Sequence, residues 1–190
     1  SNGVVRIHFT VSPEHMEGFR SLLDEKLAHY EEMFGVKYEI TFSVQKPSTD
    51  TIAVNPDNTP FRTDNGDLLF RPAGHGALIA NLNEIDADII FVKNIDNVTT
   101  DARKGDTVTY KKALAGILVE LQTEASNLLE HLNSDNADVQ KVAEFIENRL
   151  CVKLPKEYNK ELLHSILDRP IRVCGMVRNE GEPGGGPFWV

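Results

Sequence analysis

The chain has 190 residues, of which 41% are hydrophobic and 26% charged, and its formal charge is −9. A length of this order buries roughly 70% of the unfolded chain's surface without help from disulfides or metals. The acidic balance disfavours nucleic acid and acidic membrane surfaces as partners, because neither would gain counterion release, but it leaves room for a nucleotide or sugar phosphate held in a local pocket of donors.

No apolar run approaches the ~20 residues of a membrane span. Cys151 and Cys174 fall in no CxxC or His-Cys set, which reads as two reduced, buried thiols of a cytoplasmic protein.

Residues 4–11 are β-branched and aromatic and read as a strand. Ser12 then offers an N-cap and Pro13 a first helical position. Met16, Phe19, Leu22, Leu23, Leu27, Tyr30 and Met33 recur at three- and four-residue spacing, the pattern of a helix with one buried stripe. Gly35 suits the left-handed position past its end. Residues 37–44 alternate as a second strand, so the chain opens as β-α-β, which implies a parallel pair with a right-handed crossover.

Residues 45–68 hold the richest turn chemistry in the chain, with a brief strand expected at 51–54. RPAGHG at 71–76 feeds a short helix over 77–83. The apolar run ADIIFV at 87–92 predicts a central parallel strand covered on both faces. Three helical stripes follow, starting at Tyr110, Val139 and Tyr158, and residues 171–177 read as a return to strand. The expected organisation is therefore an α/β core, Rossmann-like with a mostly parallel sheet, made of residues 1–105 and 170–190. Residues 106–169 would be a helical insertion.

Three places could carry chemistry. Gly74-His75-Gly76 either makes a tight turn or lets a base or ribose approach the backbone, with free N–H groups of the next helix available to an anion. His75 could stack on a base or donate to a ribose hydroxyl. Asn94-Ile95-Asp96-Asn97 follows the run at 87–92; ligands of open α/β sheets collect beyond the carboxyl ends of strands. A carboxylate there suits Mg²⁺, which favours one or two carboxylates plus phosphate oxygens; the alternative is that Asp96-Asn97 caps the next segment. Gln45, closing the strand TFSV, is either a solvated loop residue or an amide reading a base edge through its paired donor and acceptor.

Other chemistries lack their residues. His8, His15, His29, His131 and His164 show no HExxH motif, no Gly-x-Ser-x-Gly occurs, and the Gly181–Pro187 stretch lacks the Lys-Ser/Thr of a phosphate loop.

In combination these motifs resemble the central part of the UDP-sugar pyrophosphorylases. Thr10-Val11-Ser12-Pro13, Phe34-Gly35, Phe42-Ser43-Val44-Gln45 followed by Pro47, Pro72-Ala73-Gly74-His75-Gly76 and Asp96-Asn97 stand in that family's order over residues 4–98. TDTIAV at 49–54 and the GEPGGGPFW tail resemble an uncharacterised bacterial relative of those enzymes, a domain of unknown function.

The resemblance implies a nucleotidyltransferase fold of the glycosyltransferase-A type. It places Gln45, Gly74 and Gly76 at the nucleotide, His75 at the nucleoside or sugar, Asn94 and Asn97 at phosphate or sugar, and Asp96 as the catalytic residue holding Mg²⁺. The implied reaction transfers a nucleoside monophosphate from a nucleoside triphosphate to a sugar-1-phosphate. The family's glycine-rich N-terminal loop is absent, so a fragment with little turnover of its own is expected. The alternative is a non-catalytic domain that binds a nucleotide or sugar phosphate, or a partner.

Overall fold

The computed structural model describes residues 3–94, 98–176 and 181. It is mixed α/β and divides into two compact units, Ser1–Val92 and Lys93–Val190.

The first unit opens as expected. Strand β1, Val4–Thr10, leads through a 3-10 turn at Pro13–His15 into helix α1, Met16–Phe34, and then into strand β2, Lys37–Ser43. The two strands pair in parallel, in register from Val4↔Lys37 to Thr10↔Ser43. Ser12 occupies the cap position, but its side chain makes no cap bond. Gly35 ends α1 at φ 62°, and its N–H donates to the carbonyl of Glu31. That left-handed geometry favours glycine because a Cβ would crowd the carbonyl.

Side-chain alternation gives the two sheet faces different chemistry. Val5, Ile7 and Phe9 share one face with Tyr38, Ile40 and Phe42. Helix α1 covers it: the Phe19 ring lies 5.6 Å from Phe9 and 6.4 Å from Phe42, and the latter two rings are 5.8 Å apart. The half-buried positions of α1 include Met16, Phe19, Leu23 and Leu27, while Leu22, Tyr30 and Met33 are exposed. The stripe is thus narrower than the spacing suggests, because a pair of strands is too narrow to cover a wider one.

The other face is polar. Arg6 pairs with Glu39 at 2.8 Å, His8 with Thr41 at 2.8 Å, and Thr10 with Ser43 at 3.1 Å. A doubly wound parallel sheet carries apolar side chains on both faces. This pair of strands does not.

The turn-rich segment folds on itself. Strands β3, Thr51–Ile52, and β4, Phe70–Arg71, pair antiparallel. Further bridges join Val54 to Pro60 and Arg62 to Leu68. Asn58 and Gly66, at φ 64° and 85°, make the tight turns within it. A 3-10 turn at His75–Leu78 then leads into helix α2, Ile79–Leu82.

Residues 87–92, expected to be a central strand, form none, and Phe91 and Val92 are 62% and 74% exposed. An apolar run signals a preference for burial but specifies no partner edge. Among the described residues β1 and β2 pair only with each other.

In the second unit, helices α3, Lys104–Leu132, α4, Val139–Asn148, and α5, Lys160–Leu167, build the core. Leu121, Ala125, Leu128 and Leu132 of α3 face Val142, Ile146 and Leu163, the last three wholly inaccessible to solvent. Asp138 caps α4 by accepting from the N–H of Lys141 at 3.0 Å, and Asn159 caps α5 by accepting from that of Leu162 at 2.9 Å.

Residues 171–176, expected as a strand, are not one. Ile171 and Val173 instead pack on the helical core, so their alternation serves a cover over helices rather than a ladder. Residue 177 lies outside the described residues. Cys151 and Cys174, expected to be buried, are both exposed. No helix among the described residues is long and apolar enough to cross a membrane.

Candidate functional site

Parallel strands deliver their carboxyl ends to one rim, so Thr10 and Ser43 end side by side. Around them lies a connected set of polar groups. His8 meets the Thr41 hydroxyl through Nδ1 and the Ser43 hydroxyl through Nε2, both at 2.8 Å. Thr10 Oγ1 is 3.1 Å from Ser43 Oγ. From α2, Asn81 Nδ2 donates to Ser43 Oγ and to the carbonyl of Val44, each at 2.9 Å.

Two proton distributions satisfy every contact. In one, His8 Nδ1–H donates to Thr41, the Ser43 hydroxyl donates to His8 Nε2, and Ser43 accepts from Asn81 and from the Thr10 hydroxyl; in the other, Thr41 donates to Nδ1, Nε2–H donates to Ser43, and Ser43 donates to Thr10 while still accepting from Asn81. The exception to this satisfaction is Asn81 Oδ1, which is buried without a partner among the described residues.

Gln45 stands just past this rim, half-buried, with Nε2 donating to Asp50 Oδ1 at 3.3 Å. Lys46 beside it pairs with Glu84, which follows α2. The segment after β2 is therefore tied to the α2 region through both Asn81 and Glu84.

The glycine turn upstream of α2 is open. Gly74 has φ −66° and ψ −177°, a conformation any residue adopts. A Cβ at Gly74 or Gly76 would meet nothing within 4 Å among the described residues. Neither backbone geometry nor packing demands glycine at either position, and His75 between them is exposed. Helix α2 has four residues, too short to gather a dipole for an anion.

Asn94 is exposed in the second unit, and its carbonyl accepts from Lys93 Nζ at 3.1 Å. Asp96 and Asn97 lie outside the described residues, as do residues 182–190. Of the expected site, then, Gln45 lies between Val44 and Lys46, which meet the α2 region through Asn81 and Glu84. Among the described residues no group of three or more His, Cys, Asp or Glu could hold a metal ion; the carboxylate expected for Mg²⁺, Asp96, is not among them.

Sequence reasoning missed Asn81 and the hydroxyls it serves. Asn81 lies near the half-buried Leu78 and Leu82, but one turn of helix is too short for that spacing to mark an inward face. A concavity among Gly3, Ala28, Glu31, Gly35, Val36 and Lys37 lies at the opposite, amino end of the strands.

These features define a small β-α-β unit with a polar strand-end rim, accompanied by a helical unit. Residues 1–190 match the family described as Domain of unknown function (DUF4301), and the chain belongs to that family. Neither the curated proteins nor the solved structures gave a match.

Proposed function

We propose that the chain is part of a nucleotidyltransferase similar to the sugar-nucleotide pyrophosphorylases, and that the rim beyond β1 and β2 receives the nucleotide. The observation that carries this reading is the tie from Asn81 to Ser43 and Val44, which holds the helix of the glycine turn against the strand end bearing Gln45. The unconstrained glycines add support, since the space above Gly74 and Gly76 suits a flat ring lying against the backbone.

In this reading the Gln45 amide pairs with the base edge, Gly74 and Gly76 give backbone approach, and His75 touches the nucleoside or sugar. The resemblance implies further that Asn94 and Asn97 would bond phosphate or sugar and that Asp96 would hold Mg²⁺. An oxygen of a sugar-1-phosphate forms a bond to the α-phosphorus, the bond to the bridging oxygen breaks, and pyrophosphate leaves with that electron pair. Such chemistry rests on positioning and charge neutralisation; Mg²⁺ would supply the neutralisation.

Calorimetric titration with UTP and Mg²⁺ tests the reading. The wild-type protein binds, and Gln45→Ala weakens binding by about tenfold or more, the loss of one or two hydrogen bonds. Gly74→Ala abolishes most of the affinity while leaving the fold intact, because its backbone and surroundings accept a methyl group. Failure to bind any nucleoside triphosphate overturns the proposal. In a protein that turns over, Asp96→Asn cuts the transfer rate without shifting the thermal midpoint; binding without transfer supports the non-catalytic alternative.

A further inference from the structure

Asn81 is the single buried polar side chain among the described residues, 3% exposed. Its place in the chain is unusual: it sits on a one-turn helix that local propensity alone cannot hold. The unit around it has no fully buried apolar residue among the described ones, since every buried hydrophobic belongs to residues 121–167. Close packing therefore does not locate the glycine turn. Discrete polar contacts do.

The Asn81 amide makes those contacts as a fork. One N–H reaches Ser43 Oγ, and through it His8 and Thr10, so this prong is anchored in both strands. The other N–H reaches the Val44 carbonyl. That carbonyl lies in the planar peptide unit that also contains the Gln45 nitrogen. Fixing the carbonyl fixes the plane from which the Gln45 side chain departs.

The opposite end of the same amide argues against a purely stabilising role. Asn81 Oδ1 is buried and has no partner among the described residues, which opposes folding. Leucine, of nearly equal shape, would fill the position without that liability. What leucine cannot do is orient the Val44–Gln45 peptide.

We propose that Asn81 is a positioning residue that sets the glycine turn and the Gln45 amide at a fixed separation, so that both engage one nucleoside; this rests on the nucleotide reading above. The same fork makes the two segments behave as one dynamic unit. Its loss frees both together.

The experiment compares wild-type protein with Asn81→Leu. Hydrogen exchange is read at the bonded amides of Thr49 and Asp50 on one side and of Ala77, Asn83 and Glu84 on the other. Both sets speed up by about tenfold in the variant, while α4 and α5 are unaffected and the thermal midpoint is unchanged or raised. UTP affinity falls by about tenfold, the equivalent of one lost orienting bond.

A lower midpoint with unchanged UTP affinity would show a structural role only and overturn the proposal, as would exchange that rises on one side alone or on neither. If wild-type protein binds no UTP, the nucleotide reading falls, and coupled exchange still decides whether the fork joins the two segments. Should Asn81→Leu fail to fold, Ser43→Ala removes one prong and leaves the other. A smaller coupled rise in exchange is then expected, and its absence overturns the proposal.

Discussion

Glu31 sits in the last turn of α1, where the helix dipole disfavours a carboxylate. It is held there by Lys37 Nζ at 2.6 Å and by the N–H of Tyr38 at 3.0 Å. The Lys37 bond first, and then the Tyr38 N–H, keep its carboxyl below the ordinary glutamate range. A depressed folded-state pKa contributes stability that is present above the unfolded value and lost as pH falls through the folded one. Glu31→Gln should therefore lower the thermal midpoint at neutral pH, and the gap to wild type should close as pH falls through and below about 4. A pH series of melting curves checks this, and a gap constant with pH would reject it. At the same scale, the place of Gln45 just past a strand end was legible because the alternation that marks β2 also marks where it stops. Asn81 was not. Its partners Ser43 and Val44 lie 38 and 37 positions away, and one helical turn offers too few residues for a period to declare its inward face.

Elements whose residues pack locally were the ones the pattern revealed. The spacing from Met16 to Met33 and the glycine at 35 located α1 and its end. The three apolar stripes located α3, α4 and α5. Residues 87–92 and 171–176 were misread for one physical reason: alternation and apolar runs report burial, while a strand also needs a neighbouring edge, which is a property of the whole fold. The end of α4 carries a feature no spacing reveals. Cys151 adopts φ 56°, and the N–H of Val152 beyond it bonds back to the carbonyl of Ile146 at 3.1 Å. This is the left-handed helix stop that glycine occupies with least strain. Cys151→Gly should raise stability by about 1 kcal/mol, because relief of Cβ crowding outweighs the entropy glycine adds to the unfolded chain. Urea titration should show a higher midpoint with unchanged slope; a lower midpoint would mean the exposed thiol side chain contributes packing of its own.

At the scale of the molecule, burial is unevenly shared. All the buried hydrophobic residues among those described lie between Leu121 and Leu167. The first unit relies on half-buried contacts of one helix with a pair of strands, the least cover with which so small a sheet stands independently. Slow hydrogen exchange should therefore concentrate in the second half of α3 and in α4 and α5, with faster exchange in β1, α1 and β2. Leu163→Ala, at a position wholly inaccessible to solvent, should cost about 2–5 kcal/mol and accelerate exchange in the helical unit while leaving β1 and β2 at their wild-type rates. Equal acceleration in both units would mean that they unfold as one. Among the described residues Ile89-Ile90-Phe91-Val92 joins no strand, and its last two side chains are open to solvent; four uncharged residues of high β-propensity so placed favour association between molecules in concentrated solution. Asp88 and Lys93 bracket the stretch with opposite charges, the gatekeeping that slows such association.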